Sequence, residues 1–348
     1  MTSRPARSDA AWDTPAAVRP GQAWLLVLGV LAMVPALAGA ALRIVPPTDD
    51  FPALLASFIP YALLGWVPAV LLLGAAAVRA RRSGNLARVS LVSLTLVSVA
   101  GLLASIAWQA PAFVPNPRPV TTHTITIISL NVHQKADPTA VAKQATGADV
   151  ATFVEASPSW VDTLPLSFRE DFPYAVGAPL QSEPGSVIFS RYPITSSEAL
   201  PTSSFQQWSA TVETPQLGPL RVVAVHPCNP FCGRKLWSVE HTQLRAWLIA
   251  QDATPTVIAG DFNAVDDHGP MRALYGDGYD SAANLVGAGF IRTYPANRRI
   301  PPLLGIDHVL VNDRLTATEF DTFQVPYTDH LGVRAVIAGT TGTSAPPR

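Results

Sequence analysis

Charge is scarce in this sequence. Of 348 residues only 14% are Asp, Glu, Lys or Arg, and 24 basic residues against 25 acidic ones leave a formal net charge of -1. With no surplus of positive charge, the chain has no bulk polycation to offer a nucleic-acid backbone or an anionic lipid surface. Cysteine is nearly absent too. The only two stand together in Cys228-Asn229-Pro230-Phe231-Cys232, and a thiolate metal site lacks the further cysteines it needs. A disulfide across three intervening residues suits an oxidising compartment, where it pins a loop; two free thiols are the other reading. No internal repeat organises the chain.

What is present in excess is apolar residues, 48% of the chain, with a mean hydropathy of +0.24. That is too apolar for an ordinary soluble enzyme. Nearly all the excess lies before about residue 110, in the runs 23–42, 51–78 and 89–108, none of which contains a charged residue. Each reaches the roughly 20 residues that cross about 30 Å of hydrocarbon as a helix, so three membrane spans are expected. Pro35, Pro52, Pro60 and Pro68 are tolerated better in membrane helices than in soluble ones, and Trp24, Trp66 and Trp108 include two at interface depth. A buried hairpin of a large soluble core is the alternative. A cleaved signal peptide fits less well, because its apolar region is shorter and two more spans follow.

The short loops set an orientation. Arg4, Arg7 and Arg19 precede the first run, and Arg79, Arg81, Arg82 and Arg88 lie between the second and third, whereas the first loop carries Arg43 with Asp49 and Asp50. Positive loops stay inside, so the tail 1–22 and the second loop are expected in the cytoplasm and everything after the third span outside it. Residues 109–123 hold Pro111, Pro115, Pro117 and Pro119 and read as an extended tether. Residues 339–348 read as a disordered tail. Between them, 124–338 is long enough for one α/β domain with a large core.

Within that domain the pattern is strand, helix, strand, then several strands in succession, with a helix over 236–251. Two sheets packed together with helices outside follow from it. Polar residues gather at the strand ends. Thr256-Val257-Ile258-Ala259 reads as a buried strand opening into Gly260-Asp261-Phe262-Asn263, an acid and an amide two residues apart at a strand mouth. Such a pair can orient water and hold a phosphate oxygen, although the same tetrapeptide also makes ordinary Asx turns. Elsewhere stand Ser129-Leu130-Asn131-Val132, Phe153-Val154-Glu155, Gly185-Ser186-Val187-Ile188-Phe189-Ser190-Arg191-Tyr192-Pro193, Val225-His226-Pro227, Ile306-Asp307-His308-Val309 and Thr328-Asp329-His330.

In that order, these stretches resemble the endonuclease/exonuclease/phosphatase superfamily, from residue 124 to about 338. The resemblance implies a DNase-like four-layer fold and hydrolysis of phosphoesters with Mg²⁺ or Mn²⁺. It makes Glu155 a metal-binding carboxylate, Asn131 the amide that supports metal or phosphate, and Asp329 an acid close to the metal. Asp261 then activates the attacking water, Asn263 holds the scissile phosphate and His226 contacts it or protonates the leaving oxygen. Asp307 and His330 form a carboxylate–histidine pair. One position departs from the pattern: His133 stands where many nucleases of the family carry an acid, which puts metal stoichiometry in question. His308 reads as a packed or surface residue, and Arg191 as ordering its loop through backbone carbonyls.

The substrate is less determined. From residue 124 onward there are 15 Lys and Arg against 21 Asp and Glu, a net charge near -6, which tells against a processive nuclease. Arg292, Arg298 and Arg299, with Tyr294, lie in a loop before Asp307. They are expected at the pocket rim, to bind a small phosphorylated molecule, a lipid headgroup or a few nucleotides. The reading is a hydrolase embedded in the lipid bilayer with its catalytic domain extracytoplasmic. A noncatalytic membrane receptor or scaffold that binds phosphorylated ligands is the alternative, and a soluble nuclease the third.

Overall fold

Long apolar runs close their hydrogen bonds within themselves, and here they do so as helices. The computed structural model describes residues 20–80, 85–177, 185–201 and 203–341. Its N-terminal helices are α1 (Pro20–Ile44), α2 (Asp50–Ala56), α3 (Ile59–Leu63), α4 (Trp66–Arg79) and α5 (Asn85–Phe113). Three stretches are long and apolar enough to cross a membrane: Ala23–Ile44, Ile59–Arg79 and Leu86–Phe113. The run 51–78 is therefore not one helix, and only its later part belongs to a candidate span. Pro60 and Pro68 have no N–H for the carbonyls four residues back. The turn between them closes through shorter bonds instead, Leu64 N to Tyr61 O at 3.1 Å and Gly65 N to Ala62 O at 3.0 Å.

The chain forms two units. In the first, made of residues 20–40 and 61–106 among those described, small residues let helices approach closely. A Cβ on Gly101 would fall 2.5 Å from the Trp66 ring. Ala36, Ala69 and Leu73 are buried, whereas Leu31, Leu71, Leu96 and Leu103 face outward.

The second unit comprises residues 41–60 and those from 107 onward. Its first sheet is built from β1 (Val120–Asn131), β2 (Val150–Ala156), β3 (Tyr174–Val176) and β4 (Gly185–Ser190), with two later strands. The second sheet contains β5 (Ile194–Ala199), β6 (Trp208–Thr214), β7 (Gly218–Val225), β8 (Thr256–Asp261), β9 (Asp280–Ser281) and β10 (Asp307–Val311). Finally β11 (Leu315–Phe323) and β12 (Gly332–Thr340) return to the first. The strand orders are β11-β12-β1-β2-β4-β3 and β5-β6-β7-β8-β10-β9. Ile127, Val222, Ala259, Val309 and Ala335 fill the space between the sheets. Helices α6 (Pro138–Ala145), α7 (Pro158–Asp162) and α8 (Leu166–Asp171) cover the outer face of the first sheet through Val141, Trp160 and Phe168. On the second sheet, α9 (Leu236–Ile249) and α10 (Gly269–Gly276) pack through Trp237, Leu244 and Met271. Short α11 (Ala282–Val286) completes the element list. These are the expected four layers.

Several boundaries differ from expectation. Of the tether 109–123 only 114–119 lies outside regular structure, because α5 continues to Phe113 and β1 starts at Val120. Phe113 packs edge-on against Phe290, ring centres 5.5 Å apart. Gly339 and Thr340 belong to β12 rather than to a tail, and residues 1–19 and 342–348 lie outside the described part. The edge strands β3, β5, β9 and β11 and the short helices α7, α8 and α11 have no counterpart in the sequence pattern.

Candidate active site

Four central strands deliver their C-terminal ends to one rim. Parallel pairing of β1 with β2 sets Asn131 opposite Val154, so Glu155 lies one residue beyond. Parallel pairing of β7 with β8 sets Val225 opposite Gly260, which brings His226 alongside Asp261. Antiparallel β10 enters with Asp307 opposite Asp261. The close approach of β7 to β8 needs Gly260, where a Cβ would fall 2.0 Å from the Val225 carbonyl oxygen.

Asn131 is the bridge between the sheets. Its Nδ2 donates to Glu155 Oε1 at 2.9 Å and to Asp261 Oδ2 at 3.1 Å. The carboxylates of 155 and 261, from different sheets, thus open onto the same cleft. Thr328 Oγ1 donates to the Asn131 carbonyl at 2.7 Å and accepts from His330 N at 3.2 Å, holding the last loop to the end of β1. Glu155 has φ 53° and Asn263 φ 49°, backbone conformations uncommon for residues with a Cβ, both at the cleft.

Around Asp261 stand two imidazoles, His226 Nε2 at 3.7 Å and His330 Nε2 at 3.7 Å. The backbone N–H of Asn263 donates to the other Asp261 oxygen at 2.8 Å. Asp261 is buried, and burial raises its carboxyl above the ordinary range while His330 pulls the other way. His330 Nδ1 bonds Asp307 Oδ2 at 2.8 Å. Burial alone would lower His330, but Asp307 and then Asp261 outweigh it and lift the imidazole to about 10, so it is held as a cation. The His226 ring is oriented by Phe205, stacked at 4.6 Å, and its backbone N–H donates to Gln207 Oε1 at 3.0 Å. Tyr294 packs on His330 at 4.8 Å, and burial, then the Asp329 charge, raise its hydroxyl.

The cavity at this rim has a volume of about 210 Å³. His133, Glu155, His226, Asp261, Asn263, Tyr294, Asp329 and His330 all face it. Asn131 and Asp307 stand behind the wall, buried. The arginines divide from them: Arg292, Arg298 and Arg299 are exposed and do not line the cavity, although Arg298 lies near enough to pull on the Tyr294 hydroxyl. An exposed loop leaves long charged side chains in water, so Tyr294, Leu304 and Ile306 are what that loop brings to the cavity. Asn263 spends one amide hydrogen on the Pro227 carbonyl at 3.0 Å. Cys228 and Cys232 are bonded to each other, Cα atoms 6.2 Å apart. His308 is packed, its Nε2 2.8 Å from the Ala264 carbonyl, and Arg191 donates to the Ala148 carbonyl at 3.1 Å, both as expected.

Sequence reasoning passed over Gln207, Phe205, Leu54 and Ser57. The last two come from the segment between the first and second candidate spans, yet they line the same cavity. No motif marks them; only folding shows that α2 turns back to the site.

A divalent cation fits this donor set. Asp329 Oδ1 is buried with no hydrogen-bond donor, and Glu155 presents its carboxylate to the same cavity. Hard oxygen ligands with room for water suit Mg²⁺ or Mn²⁺. The buried trio Asp261, Asp307 and His330 also has ligand atoms within 4.8 Å of one another, but the Asp307–His330 hydrogen bond already occupies its facing atoms. His133 Nδ1 sits 3.3 Å from Glu155 Oε2 and 3.7 Å from Asp329 Oδ1, between the two carboxylates.

The family model described as "Endonuclease/Exonuclease/phosphatase family" matches residues 128–330. No curated protein matches the sequence. Among solved structures, an endonuclease/exonuclease/phosphatase from Beutenbergia cavernae is similar at TM-score 0.50 and 19% identity, over 64% of this chain and 74% of that one. The 3' phosphatase NExo from Neisseria bound to a product DNA hairpin superposes at TM-score 0.47 and 15% identity, over 61% and 98%. A mannosyl-6-phosphatase from Bacteroides thetaiotaomicron does so at 0.46 and 14% identity, over 62% and 99%.

Proposed function

The chain belongs to the endonuclease/exonuclease/phosphatase family of metal-dependent phosphoesterases, and from that premise we propose that it is a membrane-anchored phosphoester hydrolase working outside the cytoplasm. The observation that carries this reading is the Asn131 side chain, which ties Glu155 of one sheet to Asp261 of the other at 2.9 and 3.1 Å. Two buried histidines and two carboxylates converge there on one cavity, which a purely structural cluster has no need to leave open.

The roles follow from the atoms. Asp261, with a carboxyl raised by burial, accepts a proton from the attacking water as the new P–O bond forms. His330, kept cationic mainly by Asp307, stabilises negative charge on the phosphoryl oxygens. His226, its Nε2 3.7 Å from both Glu155 and Asp261, gives a proton to the leaving oxygen as the ester bond breaks. Glu155 and Asp329 would hold the cation, supported by Asn131, and the cation when bound would neutralise charge on phosphate oxygens. Asn263 is assigned to the scissile phosphate with the amide hydrogen that Pro227 leaves free.

Three candidate spans and the arginines flanking them support a bilayer anchor with the catalytic unit on the outer side. The Cys228–Cys232 bond agrees with an oxidising compartment. The test is hydrolysis of bis-4-nitrophenyl phosphate and 4-nitrophenyl phosphate by the detergent-solubilised full chain with Mg²⁺ or Mn²⁺. Asp261→Ala and Glu155→Ala should each lower kcat/KM by about 10³-fold; rates equal to wild type in both would end this reading.

A further inference from the structure

The active-site cavity is lined by two unlike sets of side chains. Glu155, His226, Asp261, Asp329 and His330 are polar, while Leu54, Phe231, Leu304 and Ile306 are apolar. Leu54 comes from α2, which belongs to the same compact unit although it lies in sequence between two candidate spans.

This helix is fastened firmly. Arg43 pairs with buried Asp267 at 2.9 Å, and His268 Nε2 meets the Ala53 carbonyl at 2.9 Å. Asp50 accepts from Lys235 N at 3.1 Å, and Lys235 Nζ reaches Asp49 at 2.8 Å. Its inner face buries Ala53, Ala56 and Ser57. The other face shows Phe51, Leu55 and Phe58 at i, i+4 and i+7, exposed by 68%, 47% and 42%. Beside α2 lies the turn held by the Cys228–Cys232 bond, whose Phe231 is 78% exposed while also lining the cavity. In water such a stripe would be polar. Here the segment's ends run into the spans that stop at Ile44 and start at Ile59, which keeps residues 45–58 within a short loop's reach of any bilayer those helices cross.

We infer that the substrate is a lipid-borne phosphoester: its phosphate lies among the polar residues of the cavity and its hydrocarbon chain leaves past Leu54 and Phe231. This deepens the hydrolase reading and rests on it. A cavity of about 210 Å³ takes a phosphoryl group and the first few carbons, leaving the rest of the chain on the exposed stripe. The net charge near -6 of the residues from 124 onward disfavours nucleic acid, the competing polymer.

The experiment uses the full chain in phosphatidylcholine nanodiscs with Mn²⁺ and a series of alkyl 4-nitrophenyl phosphates from ethyl to hexyl. A methylene moved from water to an apolar wall is worth about a fourfold change in kcat/KM, so four of them give roughly 200-fold across the series. Leu54→Ser and Phe231→Ser should each flatten this slope by about tenfold. A wild-type series that is hydrolysed but flat, or an oligonucleotide cleaved in preference to the hexyl ester, overturns the inference and leaves the hydrolase standing. No hydrolysis of any ester with either metal removes both. Because the wild-type slope is measured without any variant, misfolding of a variant does not protect the idea.

Discussion

Replacing Asp307 by Asn tests the electrostatics of the site most directly. The change keeps size and shape, and removes the charge 2.8 Å from His330 Nδ1. His330 stands at about 10 in the fold against an ordinary 6.5, a preference for the cation on the order of 5 kcal/mol. Asp307 is the largest favourable contributor to it. Taking one partner from a buried ion pair costs about 3 kcal/mol or more, equivalent to a melting temperature lower by roughly 6–12 °C for a domain of this size. The sign with pH is fixed by the direction of the shift. A group raised in the fold contributes fully below its unfolded value of about 6.5 and loses that contribution as pH rises through about 10. Melting curves of D307N and wild type, followed by intrinsic fluorescence, should therefore lie furthest apart near pH 6 and draw together by more than half at pH 10. Turnover at neutral pH should fall by about 10²-fold, since the imidazole loses its charge. Equal melting at pH 6, or a gap of constant size across the range, would refute the argument.

Two further changes probe how the site is held. Gly260→Ala puts a methyl group against the Val225 carbonyl, pushing β7 from β8; calorimetry should show a loss of about 2–3 kcal/mol, and turnover should fall by about 10²-fold as His226 moves from Asp261. Unchanged melting and rate would show that the two strands do not depend on this contact. Cys232→Ser opens a short cross-linked loop, which by chain entropy should cost about 2 kcal/mol. Dithiothreitol should lower the wild-type melting temperature by the same amount, and a melting temperature indifferent to both treatments would contradict it.

Much of the candidate site's rim was legible because its residues end strands buried on both faces, where an apolar run stopping at Asn131, Glu155, His226 or Asp261 is a strong local signal. Edge strand β5 was not, since Ile194-Thr195-Ser196-Ser197-Glu198-Ala199 is exposed along most of its length and has no apolar alternation to read. The opposite failure occurred at 51–56. Composition merged these residues with the span that follows, whereas tertiary contacts, among them His268 on the Ala53 carbonyl, hold them to the family domain. The loop arginines misled for a related reason: charge in sequence says nothing about which way a long side chain turns, whereas Tyr294 packs on the His330 ring.

The clasp between Arg43 and Asp267 bears on how the protein can be divided. Asp267 is buried, and its other partner is Gln109, 2.8 Å away; both lie outside the segment 124–338 that looks like a self-contained enzyme. Trimming the chain to that segment would strand a carboxylate in the interior, uncap His268 and take away one side of the reaction chamber. Residues 41–60 and those from 107 onward thus form one compact unit with the family domain, and that unit is larger than the segment 128–330 that carries the family match.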